Sequence, residues 1–531
     1  MLCNRLHIEC VARLPRIGCL LLMKTGATVR RLHQTRSLLA TYLSQTTPWS
    51  PIPNAQHLRN FSMKKWITWL GKQDFSYIYA LLGESTLGLM FILYVFIARV
   101  VGPEQYGVFS AAVALGGILG VFIQFGLPML LTRTVAANPQ DGTRPTLRFL
   151  LIQILNTIPI FALLPLITHW IGFSREGMIL CYLMIAAELC RSIKMSWRGI
   201  MKGKNWFHKE SVSVFIERLF TVVLTSIILF ITGSLILTTV ALVLSRLIDN
   251  AGTGLYLARH FPLAHNQQPE SWRNTYKKAL PFALHGLLWI VYYQIDIIML
   301  KALAIDAEVG FYGAAYRVME IFAALPRVVF FVAFTRFAKY HATDPNQLPK
   351  QIVKALRTLF VLILPCLIIA GFIQPIAMPL LFGNAFLVSV SLLAVLLPGL
   401  ALNMFNTVTE TYLLTTEREI TLTPLLLITS GTNILINLIL IPRLGALGAA
   451  IATVASEAVL CALGMTQLLC SPIRHTARRI IPLILPCLAV AAIPTIHHLA
   501  GLPLPITAAL LIVVSGALVY QMKHLYAYHA R

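Results

Sequence analysis

The sequence predicts an all-α polytopic membrane protein with about fourteen transmembrane helices: two six-helix pseudo-repeat lobes and two C-terminal helices. Hydrophobic residues make up 57% of the 531-residue chain and charged residues only 12%, half the charge of an ordinary soluble domain. From Tyr77 onward, apolar stretches of about twenty residues recur, each long enough to cross ~30 Å of hydrocarbon. Lys and Arg outnumber Asp and Glu by 43 to 20, and the surplus falls in alternate loops.

The apolar runs place helices at 77–99, 108–132, 147–171, 177–197, 211–232, 234–257, 279–303, 310–335, 355–381, 386–412, 421–441, 446–470, 480–499 and 503–523. With the N-terminus in the cytoplasm and residues 1–62 set aside, the cytoplasmic flanks hold 27 Lys/Arg, counting Arg191 and Lys194 where helix 4 runs into the basic 4–5 loop. The opposite loops hold four: Arg99, Arg175, Lys301 and Arg443. Such a contrast follows the positive-inside rule, and a miscounted helix would invert every later loop and erase it. The net charge of +23 is therefore mostly topological, and nucleic acid is not an expected partner. Both termini are expected in the cytoplasm, with the bundle in the inner (cytoplasmic) membrane.

Residues 1–62 read differently, with eight basic residues, one acid (Glu9) and a short apolar run, Ile17 to Met23. That run is too short to span. The segment reads as a doubtful basic extension, with the true start expected at Met63. The nine cysteines show no CxxC clustering, so neither a zinc site nor a disulfide framework is expected.

An internal repeat divides the rest. A shift of 203 residues carries Gly107 onto Gly310, Phe109 onto Tyr312, Ala111-Ala112 onto Ala314-Ala315, and Thr132-Arg133 onto Thr335-Arg336. An offset of six helices restores the membrane orientation, giving parallel repeats of a kind found among secondary transporters. The expected organisation is an N-lobe (63–275), a C-lobe (276–470) and two further helices (471–531). Lobes of this kind can rock about a cleft and expose it to either side in turn.

Arg99-x-x-Gly102-Pro103-Glu104-x-Tyr106-Gly107 resembles the segment after helix 1 in the prokaryotic polysaccharide flippases, or O-antigen transporters, of the multidrug/oligosaccharidyl-lipid/polysaccharide exporter superfamily. Gln294-Ile295-Asp296 with Val309-Gly310-Phe311-Tyr312-x-x-Ala315 is similar to that family's helix 7–8 region, and Gly445-Ala446-Leu447-Gly448-Ala449-Ala450 leading to Ser456-Glu457 to its helix 12. The resemblance covers roughly residues 63–470. It implies two six-helix lobes around a cavity and translocation of an undecaprenyl-pyrophosphate-linked oligosaccharide, with a polysaccharide polymerase and export machinery as prospective partners. Ion-coupled multidrug exporters share the architecture and stand as the alternative.

Ionisable groups inside the bilayer are costly and mark functional positions. On helix 8, Arg317, Glu320 and Arg327 share one face, and guanidinium groups there suit a pyrophosphate headgroup or an acidic sugar. The competing reading makes Arg317–Glu320 a structural ion pair and lets Arg327 snorkel to the interface. On helix 7, His285, Trp289, Tyr292 and Asp296 form a stripe suited to sugar contact. Asp296 is a candidate both for pairing with a helix 8 arginine and for a coupling proton or sodium ion. Glu84 and Glu320 are the other coupling candidates.

Arg218 needs a partner away from its neighbour Glu217, and Arg246 with Asp249 and Asn250 reads as structural. Asn403, Asn406 and Glu410 form a stripe on helix 10, and Asn433 and Asn437 another on helix 11; the asparagines read as interhelical hydrogen bonding, and Glu457 on helix 12 as structural. No catalytic residue and no metal ligand set is identified. The sequence has no GxxxxGK[ST] and no HExxH. Its outer loops are too short for a membrane glycosyltransferase or polymerase, and transport is the favoured reading.

Overall fold

The structure, a computed structural model, describes residues 76–137, 143–260 and 271–530. The extension at 1–62 lies outside the described residues. All the regular structure among them is helical: α1 (Ser76–Gln124), α2 (Leu127–Ala137), α3 (Thr143–Ile171), α4 (Arg175–Gly203), α5 (Phe207–Thr232), α6 (Leu235–His260), α7 (Trp272–Leu303), α8 (Asp306–Thr343), α9 (Leu348–Phe382), α10 (Val388–Thr415), α11 (Leu422–Leu444), α12 (Ala446–Leu469), α13 (Arg474–Ala500) and α14 (Leu504–Ala530), with three short 3₁₀ turns. Twelve of these helices are long and apolar enough to cross a membrane.

Two features reconcile twelve helices with fourteen crossings. Helix α1 folds back at Gly102 (φ 79°, ψ 174°), just before Pro103. The rings of Tyr94 and Phe109 lie 6.0 Å apart across that bend, whereas a straight helix would separate them by about 22 Å. So α1 makes two passes. The other feature is α4, which falls short on composition because it carries Glu188, Arg191, Lys194 and Arg198.

The charges of α4 are satisfied internally. The Lys194 ammonium, 2% exposed, meets Asp249 at 2.6 Å and donates to Ser213 Oγ and Thr253 Oγ1 at 2.8 Å each. Arg246 donates to the Ala187 carbonyl at 2.8 Å and lies 3.7 Å from Glu188. This corrects the sequence reading twice: Lys194 is internal rather than part of the basic flank, and Asp249 serves Lys194 rather than Arg246. Removing one member of a buried pair strands the other. Lys194→Ala is therefore expected to cost about 3–5 kcal/mol, visible as a lower Tm in detergent, with K194M/D249L recovering most of the loss.

The second predicted span also differs. Residues 108–132 do not form one helix; the chain breaks at Phe125 and Gly126, both at positive φ (43° and 69°), and α2 begins after them. A Cβ at Gly126 would lie 2.7 Å from the Ala279 carbonyl oxygen and 2.8 Å from Ala283 N. The α7 backbone crosses at that point, so the continuous helix yields to the crossing.

The repeat is visible in the packing. A Cβ at Gly107 would lie 1.8 Å from the Asp306 carbonyl oxygen, and one at Gly310 would lie 2.0 Å from the Pro103 carbonyl oxygen. The 203-residue shift maps Gly107 onto Gly310 and Pro103 onto Asp306, so this contact is its own image. Ser110 and Gly313, equivalent under the same shift, also face each other, with the Ser110 hydroxyl 3.0 Å from the Gly313 Cβ position. A self-complementary patch is the mark of a two-fold axis. Arg99 Nη1 donates to the Leu380 carbonyl at 2.7 Å, tying α1 to the end of α9. These contacts hold the Gly102 turn, the α7–α8 turn and the end of α9 together at the charge-poor end.

Around this contact lies a continuous apolar core that includes Leu93, Ile97, Phe109, Tyr312, Leu397 and Phe405. Helix α13 packs on α9 and α10, and α14 packs on α13 and α9. Large apolar side chains such as Trp170, Phe230, Ile376 and Leu485 face outward, the surface a bilayer covers.

Candidate functional site

Two cavities of about 360 and 280 Å³ share Tyr292, Tyr293, Arg327 and Asn403 in their walls. The first takes Thr86, Leu87, Met90, Phe91 and Tyr94 from α1 and Arg218 from α5, and the remainder of its wall from α7, α8, α10, α11 and α12. It therefore lies between the two repeat-related sets of helices.

Helix α8 places Arg317, Glu320 and Arg327 on this wall, the face their spacing predicts. Arg317 donates to Glu320 at 2.7 Å, and its guanidinium lies 4.2 Å from the centre of the Tyr94 ring, a cation–π contact across the cavity. Arg327 is exposed to the cavity and makes no hydrogen bond or ion pair to a described residue. Arg218 faces it from α5, and its buried Nε has no hydrogen-bond partner among the described residues. Two guanidinium groups that make no ion pair to a described residue thus look into one cavity from opposite helix sets, with Glu217 beside Arg218 and Glu410 near Arg327. Guanidinium is the group best matched to phosphate oxygens.

Trp289 lines the second cavity and stacks on Tyr293, with centroids 5.4 Å apart and planes 12° apart. Tyr292 meets Trp289 edge-on at 6.1 Å, but it is buried, with its hydroxyl toward Glu457. His285 contributes an edge contact to Trp289 at 6.4 Å.

Asp296 is not on the cavity wall. It is 2% exposed and accepts hydrogen bonds from Tyr312 Oη at 3.0 Å, Thr453 Oγ1 at 2.8 Å and Asn437 Nδ2 at 2.5 Å. Direct substrate contact and pairing with a helix 8 arginine are both replaced by a neutral hydrogen-bonding shell, because Tyr312, not an arginine, is the α8 residue that meets it. Glu84 lies in α1, with its side chain outside the described residues.

Sequence reasoning missed several wall residues. Arg218 was flagged only as lacking a neighbour on its own face, and that lack was the available signal. Asn403 and Asn406 do bond between helices, donating to Glu457 at 3.3 and 2.6 Å, yet both also line the cavities. Glu410 lines the second cavity. Among the described residues no group of three His, Cys, Asp or Glu side chains could hold a metal ion.

The chain is thus a multi-pass helical bundle with an internal repeat, and a cavity carrying several charged side chains lies at the repeat interface. The sequence profile of the polysaccharide biosynthesis protein family matches residues 75–341, and the chain belongs to that family. No curated protein sequence matches it. Among solved structures it is similar to the lipid II flippase MurJ in an inward closed conformation, with 14% identity and a TM-score of 0.65 over 86% of this chain and 100% of that one. It is also similar to an inward-facing multidrug resistance MATE family transporter of the MOP superfamily (16% identity, TM-score 0.59, 75% of this chain and 95% of that one). A third likeness is to a MOP superfamily transporter from Pyrococcus furiosus (16%, 0.54, 76% and 95%). At these identities the likeness is one of fold.

Proposed function

We propose that this protein is a flippase that carries a lipid-linked oligosaccharide, of the undecaprenyl-diphosphate class, across the cytoplasmic membrane by alternating access. The observation that carries this reading is that two guanidinium groups, Arg218 and Arg327, make no ion pair to a described residue and face one cavity from the two helix sets. A diphosphate bridging them draws the sets together, so its binding is coupled to their relative position. Arg317 adds a third cation, with Glu320 holding it while the cavity is empty. Family membership supplies the saccharide part of the reading. In this account the basic end and both termini face the cytoplasm, and substrate enters there while the charge-poor end is sealed. A polymerase and export machinery would take over the product on the far side.

Asp296 is the preferred coupling-ion residue in this proposal, with Glu84 and Glu320 as the further candidates. Its carboxylate bridges four helices, α7, α8, α11 and α12, through neutral partners only, so a proton or sodium ion there changes how those helices are held. Asp296→Asn is expected to keep the hydrogen-bonded shell and the fold but abolish the dependence of transport on an imposed sodium or proton gradient, measured in proteoliposomes.

Deletion of the gene tests the reading as a whole. The expected outcome is loss of one surface polysaccharide with its undecaprenyl-linked unit accumulating on the cytoplasmic face. An unchanged glycan profile with altered sensitivity to cationic drugs supports the multidrug-exporter alternative instead.

A further inference from the structure

The two cavities, which share wall residues, differ in chemistry, and we infer that the second is a saccharide subsite that receives the sugar next to the diphosphate and selects an uncharged or amino-bearing sugar over a uronic acid. The inference rests on the lipid-linked saccharide reading and adds a restriction on the sugar. Trp289 and Tyr293, stacked at 5.4 Å, offer this cavity a broad apolar aromatic surface, the kind on which the C–H face of a pyranose ring lies. Opposite them α10 supplies Asn406, Thr409 and Glu410. Asn406 Nδ2 is committed to Glu457, while its buried Oδ1 has no hydrogen-bond partner among the described residues. Glu410 makes no hydrogen bond or ion pair to a described residue, although Arg327 is close enough for their charges to interact. The cavity thus presents unfilled oxygen acceptors beside an aromatic wall, a pattern for reading hydroxyl, amide or ammonium donors. Buried acceptors of this kind penalise a ligand that cannot donate to them.

Arg327 lines both cavities and so stands at their junction. With its guanidinium on a phosphate, the attached sugar extends along Trp289 and Tyr293 and turns its far edge toward Glu410. Arg327 is the only cation among the described residues lining the second cavity. A uronate placed there brings its carboxylate toward Glu410 with no second cation to offset it, and like charges repel strongly where the walls exclude water.

The test uses the full chain in lipid nanodiscs, with affinities measured for synthetic undecaprenyl diphosphate, undecaprenyl-diphospho-N-acetylglucosamine and undecaprenyl-diphospho-glucuronate. The N-acetylhexosamine ligand is expected to bind about tenfold more tightly than the uronate, and Glu410→Gln to bring the two within about twofold by strengthening uronate binding. Equal affinities in the wild type, or a discrimination that survives E410Q, would overturn the inference while leaving the diphosphate reading in place. Should bare undecaprenyl diphosphate fail to bind, the diphosphate reading falls separately. The comparison is then repeated with the free methyl glycosides of the same two sugars, where the same preference and its loss in E410Q support the subsite and their absence ends it.

Discussion

Replacing Gly107 or Gly310 with alanine is expected to prevent the charge-poor end from closing. A methyl group at either position would sit 1.8 or 2.0 Å from a backbone carbonyl oxygen, and backbone cannot yield as the tip of a flexible side chain can. Overpacking a tight contact costs about 1–3 kcal/mol or more, and overlap of this depth belongs at or above the upper end. About 3 kcal/mol is a shift of roughly a hundredfold in the population of the sealed arrangement. An alternating-access cycle that cannot seal one end stops, so transport by G107A and by G310A should fall below about a tenth of wild type. Spin-label distances across the charge-poor end should lengthen. The two variants should behave alike, because the contact is symmetric under the repeat. Gly88→Ala is the control: nothing lies within 4 Å of the Gly88 Cβ position, and transport should be unchanged. Normal transport by G107A would show that the sealed arrangement is not part of the cycle.

The second large effect is expected from Arg218 and Arg327. Each supplies a charge-assisted hydrogen-bonding group worth about 1.5–3 kcal/mol when its partner is ionised. Arg218→Gln and Arg327→Gln should therefore each weaken binding of an anionic headgroup by about tenfold to a hundredfold. Neither residue has an ion-pair partner among the described residues, so their loss leaves no carboxylate stranded and folding should be preserved. Arg317→Gln is a different case, since it leaves Glu320 without its 2.7 Å partner and should lower stability as well as binding. Measuring Tm beside affinity separates the two patterns. Equal binding of undecaprenyl diphosphate by wild type and R218Q/R327Q would remove the headgroup assignment.

The fold was largely legible because a bilayer leaves a chain few options. Each crossing must be apolar for about twenty residues and satisfy its own backbone, and the flanking charges then orient it. The shift of 203 residues read from Gly107 and Gly310 turned out to map a direct contact. The break at Gly126 was readable too, since Gly126 followed by Pro128 is a breaker signal, but the apolar run on either side masked it. The interior of α4 was misassigned because sequence places Lys194 beside a basic loop, while its partner Asp249 belongs to another helix.

The site was legible only where one helix carries it. Arg317, Glu320 and Arg327 lie on one face of α8, and the helical period reveals that face. The surroundings of Asp296 could not be read, because Asn437 and Thr453 are 141 and 157 positions away. Arg218 shows in sequence only that it lacks a partner on its own face; that it reaches the cavity depends on how α5 packs across α1. Nor does sequence distance show that Trp289, Tyr293 and Glu410 share a pocket.

The most direct test of lipid-linked substrate translocation is a leaflet assay. Purified full-length protein is reconstituted into liposomes carrying a fluorescent undecaprenyl-diphospho-oligosaccharide, and the fraction reachable by an added membrane-impermeant quencher is followed with time. The account predicts rapid exchange between leaflets for the wild type and little above the protein-free rate for R218Q/R327Q. A wild-type protein that leaves the lipid in its original leaflet while driving accumulation of a cationic dye would contradict it.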